Sequence, residues 1–359
     1  MAYFTCFVLS FFLFYIVERN KKLGEKTFWF LSILLIIYWT LLIGLQDNVG
    51  TDYHNYYAEF SNISNASRYK NITHELLFYS IANFVASFGL PPQTGFVIIA
   101  LIQASVFFIF IKIMKISKPS IFILVFFTVS TIFYNQTNTL RQFVAVYLFS
   151  VSAYFILKRK FILFLIGIGI AALFHRSALI MLPAYFLPVF KGKLKPYYFV
   201  LFLFIAFLLS MIDILEIVSP LIRLTMYAHY LDGEYFYAPV ALINKLTKYL
   251  YIPFFLLSLF SLNTLNNFEK KMYCIGFLSY CFRLILLPYS VLNRISMYFE
   301  ILQIIPLYFL ISYLLNTSEM KRYYRVSILF FFLLIVIGLL AAKVIFFPVG
   351  EYDYKSILL

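Results

Sequence analysis

The sequence predicts an all-α polytopic membrane protein of about twelve transmembrane helices with one extra interfacial or re-entrant helix. Three observations predict it. The 359 residues are 63% apolar and only 12% charged, with a mean hydropathy of +0.90, a balance outside the range of soluble domains. Apolar runs approaching the length that crosses a bilayer recur along the whole chain. The basic residues also divide by side: 14 of 19 lysines fall in alternate linkers, while Arg68, Arg141, Arg176, Arg223, Arg283 and Arg294 fall at the opposite ends of the runs.

The runs are 3–17, 28–45, 94–111, 119–134, 142–157, 161–175, 177–190, 197–214, 244–262, 272–288, 295–315 and 326–347. Between them lie ERNKKLGEK (18–26), KIMKISK (112–118), KRK (158–160), KGKLK (191–195), EKK (269–271) and MKRYYR (320–325), which hold 18 lysines and arginines. Lysine and arginine collect on the cytoplasmic side. Placing these linkers there makes every second connection cytoplasmic and puts both termini outside. The net charge of +14 is then topology signalling, and nucleic acid is discounted as a partner. The first run has no basic leader and no small-residue cleavage site, so it reads as retained.

Two places depart from simple crossing. The link between 161–175 and 177–190 is so tight that a broken or re-entrant helix is expected, with its irregular backbone buried in protein or lining a cavity. His74–Gly89 is apolar enough to cross, but crossing would move every later basic linker outside. It therefore reads as a helix lying at the outer interface. Residues 1–359 form one integral membrane domain with two long outer connections, 46–93 and 215–243. The second carries Tyr227, Tyr230, Tyr235, Tyr237, Asp232 and Glu234, read either as an interfacial aromatic belt or as a carbohydrate platform.

Lysine sidedness is ordinary; arginine at the opposite ends is not, because charge near lipid is costly. A guanidinium fork matches phosphate oxygens in pairs, so the outer arginines suggest a phosphorylated ligand. Arg141-Gln142 opens a run behind the polar stretch Asn135–Thr139, which is expected to form a wet pocket. Phe174-His175-Arg176-Ser177 marks a break between two runs, where a histidine beside an arginine is a candidate base or phosphate donor. Arg283 sits inside a run; Arg294 opens another, with Tyr298 and Glu300 following, and an internal Arg294–Glu300 pair is the plain alternative. In the first outer connection Gly50 permits a tight turn, Thr51 can cap the next helix, and Asp52 stands at its start, open to binding or proton transfer.

Several chemistries find no motif. There is no Gly-rich phosphate loop, no Asp-X-Asp pair, no HExxH and no Cys/His cluster. Ser177 has no Gly-X-Ser-X-Gly elbow around it. Cys274 and Cys281 are about 10 Å apart along a helix, too far to bridge. No cofactor and no metal are expected.

Val49-Gly50-Thr51-Asp52-Tyr53 followed by Tyr56 resembles the signature after the second span of EpsG-type polysaccharide polymerases, relatives of the Wzy O-antigen polymerases. Leu140-Arg141-Gln142 with Ala145, Lys158-Arg159-Lys160, and Phe174-His175-Arg176-Ser177-Ala178-Leu179 ahead of Pro183 resemble its central block. Arg294 with Tyr298-Phe299 resembles its late arginine-bearing span. The resemblance covers about residues 28–310. Arg176 is bulkier than the residue often found after the histidine and adds a second guanidinium there.

The resemblance implies a fold similar to the GT-C-like lipid-dependent glycosyltransferases. It implies transfer of a growing glycan from undecaprenyl pyrophosphate onto a lipid-linked repeat unit. The reaction would run at the outer (periplasmic) face of the bacterial inner membrane, without metal or nucleotide sugar. The expected partners are the undecaprenyl pyrophosphate-linked oligosaccharide, membrane lipids and a chain-length regulator. Under it, Arg141, Arg176, Arg283 and Arg294 bind pyrophosphate, His175 and Asp52 are catalytic, and Tyr53, Gln142 and Tyr298 bind glycan. The alternatives are an O-antigen ligase-like transferase, disfavoured by a short second outer loop, and a lipid-linked oligosaccharide flippase, disfavoured by scarce central charge. A membrane acyltransferase would need its histidine on the cytoplasmic side.

Overall fold

The computed structural model describes residues 1–20, 24–62, 74–187, 195–212, scattered positions within 213–241, 242–288, 290–346 and 348–358. Among these the chain is helical, and the only strand-like pairing is an isolated antiparallel bridge between Gln46 and Ser356. It divides into two compact units: Met1–Phe186 with Met320–Leu359, and Leu187–Glu319.

Seven of the twelve expected runs become helices long and apolar enough to cross a membrane: Ala2–Arg19, Glu25–Gly44, Gln93–Ile113, Leu140–Leu157, Asn244–Thr264, Leu292–Asn316 and Arg322–Phe346. The rest differ for local reasons. The 119–134 run stops as a helix at Val129, because Ser130 turns extended and its hydroxyl accepts the Ile132 N–H at 3.2 Å. Phe161–Phe174 ends where His175 goes extended, at φ −153° and ψ 118°. Beyond it, Arg176–Phe186 winds as a 3₁₀-helix with Pro183 inside, in place of a second α-helical crossing. Asn267–Ile285 is 19 residues long but carries Glu269, Lys270, Lys271 and Arg283. A capping box starts it: the Asn266 side chain accepts from Glu269 N–H while Glu269 accepts from Asn266 N–H.

In the first unit we number the helices that position the site: α1 (Ala2–Arg19), α2 (Glu25–Gly44), α3 (Tyr53–Ser61), α4 (Leu76–Ser87), α5 (Gln93–Ile113), α6 (Pro119–Val129), α7 (Leu140–Leu157) and α8 (Phe161–Phe174). Helix α5 packs between α2 and α7, and α7 packs on α8. Where α2 meets α5, a Cβ on Gly44 would fall 2.7 Å from Val97 Cα, so only glycine allows the approach. Trp39 fills the centre among Phe107, Phe126, Phe127 and Phe133, and its indole N–H donates to Ser10 Oγ at 3.0 Å. An indole donor in an apolar core needs such a partner.

The ends of these helices segregate by chemistry, in line with the lysine pattern. Glu25 pairs with Lys112 at 3.0 Å, and Glu18 accepts from the Ser120 backbone and hydroxyl, tying linker 18–26 to linker 112–118 and to the start of α6. The opposite ends carry the 45–52 turn, the 135–139 turn and residues 351–358. Helix α4 has 12 residues, about 18 Å of rise, and lies against α3, α5 and α8.

In the second unit, Asn267–Ile285 packs on Pro196–Leu209 and on the segments from Glu300 to Asn316. Its buried charges are gathered: Glu300, fully buried, pairs with Arg283, itself 3% exposed, and Lys248 Nζ lies 3.9 Å from Glu300 Oε1.

Candidate functional site

The site grows from three chain breaks that meet over an aromatic floor. Helices α3 and α4 turn Tyr56, Phe60, Phe78 and Tyr79 inward against Phe96 and Phe174. Glu75 precedes α4, Arg141 stands in the first turn of α7, and His175 terminates α8. The Arg141 and His175 side chains converge on the Glu75 carboxylate.

Glu75 is 3% exposed. Its Oε2 accepts from Arg141 Nη1 at 2.8 Å; its Oε1 accepts from His175 Nδ1 at 2.7 Å and from the Arg176 backbone N–H at 3.2 Å. With Nδ1 committed to Glu75, Nε2 is the ring nitrogen left to face a substrate, and in the tautomer that donates from Nδ1 it carries the lone pair. The His175 side chain is 28% exposed, so the ring is held at one edge and open at the other. Arg141 Nη1 also donates to Tyr79 Oη at 2.6 Å, and Tyr79 O–H donates to Glu59 Oε1 at 3.2 Å. The guanidinium lies 5.5–5.7 Å from the ring centres of Tyr56, Phe78 and Tyr79, a cation–π cradle. Its Nε is buried with no hydrogen-bond partner.

The two carboxylates titrate in opposite directions. Burial pushes Glu75 up, but the His175 hydrogen bond and charge, the Arg141 charge and the Arg176 N–H outweigh it, and its carboxyl ends below the ordinary value. Burial lifts Glu59 above the ordinary value despite Arg141 and Tyr79, with Glu75 and Asp52 adding to the rise. Burial also raises the Tyr56 and Tyr79 phenols, and burial together with Asp47 pushes Tyr53 up to about 12.

Asp52 sits at the start of α3 without a side-chain cap bond. Thr51, expected to cap that helix, instead directs its hydroxyl to Asn138 Oδ1 at 3.3 Å and Asp52 Oδ1 at 3.5 Å. The Asp52 N–H donates to Asn138 Oδ1 at 2.8 Å, and Gly50 takes φ +79° beside it. The polar stretch 135–139 is therefore scaffold and not the expected wet wall. Gln136 accepts from Tyr147 O–H, Thr137 O accepts from Gln46 Nε2, and both residues are at most 1% exposed.

Of the residues expected from sequence, Arg141, His175 and Arg176 meet at Glu75, and Asp52 acts electrostatically on the neighbouring Glu59. Arg176 joins through its backbone N–H. Arg283 and Arg294 belong to the second unit, where Arg283 is engaged by Glu300, and Arg294 is exposed. Tyr53, Gln142 and Tyr298 are buried, at 4%, 6% and 0% exposure, and the Tyr53 ring stacks on Phe96 at 5.1 Å. Arg68 and Tyr227, Tyr230, Tyr235, Tyr237, Asp232 and Glu234 lie outside the described residues.

Sequence reasoning missed Glu75, Tyr79 and Glu59. The signal was present: Glu75 is the only charged residue in the apolar stretch His74–Gly89 apart from the adjacent histidine, and Tyr79 follows one helical turn later. No group of three His, Cys, Asp or Glu residues suited to a metal ion occurs among the described residues.

No curated protein and no solved structure matches the chain. The Gly50-Thr51-Asp52 turn, the Arg141 helix start and the His175 break all fall within residues 26–356, the stretch matched by the EpsG family model. With nearly its whole length covered, the chain belongs to the EpsG family.

Proposed function

We propose that this membrane protein is a polysaccharide polymerase that transfers a growing glycan from undecaprenyl pyrophosphate onto a lipid-linked repeat unit at the outer face of the inner membrane. Membership of the EpsG family points to a polymerase-type glycosyltransferase. The observation that carries the chemistry is the single carboxylate of Glu75 bridging His175 and Arg141.

In this reading His175 Nε2 takes the proton of the acceptor hydroxyl as its oxygen attacks the donor's anomeric carbon. The bond from that carbon to the pyrophosphate oxygen breaks, and the lipid pyrophosphate leaves with the electron pair. Glu75 fixes the imidazole tautomer and offsets the charge of the imidazolium that forms, as a carboxylate does for a base histidine. Arg141, with its unpartnered Nε, and the Arg176 guanidinium are assigned to the developing pyrophosphate charge. Asp52 orders the acceptor, and Tyr53 and Gln142 shape the walls behind it. In the second unit, taken by itself, the exposed Arg294 is proposed as a phosphate contact and Tyr298 as a glycan contact, while Arg283 is engaged by Glu300 and would have to exchange that carboxylate for phosphate.

The test is replacement of His175 by Ala in the producing cell, followed by gel analysis of the glycan. The expected result is normal membrane insertion, loss of polymer, and single repeat units on the anchor. Full-length polymer from His175→Ala overturns the assignment, and loss of all surface attachment with polymer retained on the carrier identifies a ligase.

A further inference from the structure

The turn that carries Asp52 is held from outside by the end of the chain. Asp47 N–H donates to Lys355 O and Ile357 N–H donates to Leu45 O, both at 3.0 Å, around the Gln46–Ser356 bridge. Ser356 Oγ donates to Leu45 O, and Tyr354 O–H donates to Leu42 O at 2.6 Å. The Tyr352 ring lies 4.9 Å from that of Tyr134, just ahead of the 135–139 turn. A contact between two side chains, Glu351 and Asn138, links this strap to the Asp52 N–H. Asn138 Nδ2 donates to Glu351 Oε1 at 2.7 Å, while Asn138 Oδ1 accepts from Asp52 N–H at 2.8 Å and from Thr51 Oγ1 at 3.3 Å.

That arrangement has a polarity. An amide side chain offers one accepting oxygen and one donating nitrogen; a carboxylate only accepts. Glu351 therefore selects the nitrogen of Asn138 and turns the oxygen towards the Asp52 N–H. A donor at position 351 would select the oxygen and leave the amide nitrogen facing that N–H, two donors opposed. The turn cannot absorb the change by sliding, because a Cβ on Gly50 would already lie 2.6 Å from Asn138 Oδ1.

We propose that Glu351 is a positioning residue, which acts through the amide orientation of Asn138 to set the turn presenting Asp52. The role rests on the polymerase reading above, in which Asp52 orders the acceptor.

Four variants test it in the full-length protein, with two readouts: glycan chain length in the producing cell, and hydrogen exchange of amides 47–53 in detergent-purified protein. Glu351→Gln can turn its own carbonyl to Asn138 and should match the wild type in both. Glu351→Lys should cut polymer at least tenfold and speed exchange, and so should Asn138→Asp, which sets two carboxylates face to face. The double variant Glu351→Lys/Asn138→Asp gives an acceptor both to the introduced ammonium and to the Asp52 N–H, and should recover both readouts. A double variant no better than the worse single variant overturns the proposal. So does wild-type behaviour of Glu351→Lys, or faster exchange with unchanged polymer. Exchange does not depend on the reaction, so full-length polymer from His175→Ala would sink the polymerase assignment while the exchange series still reports the coupling.

Discussion

Each unit buries a carboxylate against cations, and the two clusters are built for different work. In the second unit Glu300 is fully buried, Arg283 is 3% exposed, and Lys248 Nζ stands 3.9 Å away. Arg283 and Glu300 are sealed from solvent, and the gain is a tie between the helix carrying Arg283 and the segment carrying Glu300. In the first unit Glu75 is nearly as deeply set, but its partners Arg141 and His175 keep 24% and 28% of their side chains exposed. A sealed ion pair holds helices together; a half-open one holds a reactive group still while leaving it a free edge.

The sharpest way to break this comparison lies in the sealed cluster. Glu300→Ala strands Arg283 in the interior and should cost about 3–5 kcal/mol, read as loss of folded protein or a large drop in melting temperature in detergent. An apolar replacement of both, Arg283→Met with Glu300→Leu, should recover stability. If that double variant also makes polymer, Arg283 is a tie; if it is stable and makes none, Arg283 contacts phosphate and the clusters are alike.

In the half-open cluster the largest effect should be on rate. His175→Ala removes a general base, a loss of about a hundred- to ten-thousandfold, measured as polymer formed per inserted protein, with little change in melting temperature. A melting temperature that falls as far as that of Glu300→Ala would make the two clusters equivalent.

Glu75→Gln should come next, affecting both activity and stability by about 1–3 kcal/mol, and it has a pH signature. Glu75 has a folded-state pKa below its unfolded value. Its stabilisation is therefore complete above the ordinary carboxylate range and is lost as pH falls through the lowered folded value. The melting-temperature gap between wild type and Glu75→Gln should be widest near neutrality and close in acid. Glu59 is raised, so its contribution is complete below the ordinary range and lost as pH rises through its folded value. Glu59→Gln should be neutral or slightly stabilising at pH 7, the smallest effect of the series, and a large destabilisation there would contradict the direction given for Glu59.

What was legible in the sequence follows the range of the interaction. Apolar length located seven of the twelve expected runs as helices long and apolar enough to cross, because it is a property of contiguous residues. Arg141, His175 and Arg176 stood out because each borders an apolar run, and Asp52 because it follows a Gly-Thr turn at a helix start. Glu75 did not, since its meaning comes from partners 66 and 100 residues away. The polar stretch Asn135–Thr139 was misread as a wet wall for the same reason: its partners, Gln46, Tyr147 and Glu351, lie outside the stretch. The break at Ser130 was hidden in a run that is apolar on both sides of it, and it turns on one hydroxyl accepting one backbone N–H.

The 3₁₀ segment Arg176–Phe186 has a mechanical consequence. Its 11 residues span about 22 Å at the 3₁₀ rise, against about 16 Å if wound as α-helix. The segment therefore carries the chain about 5–6 Å further from His175 than an α-helix of the same length would, starting from the Arg176 N–H fixed on Glu75, and Pro183, which an α-helix interior tolerates poorly, suits that longer path.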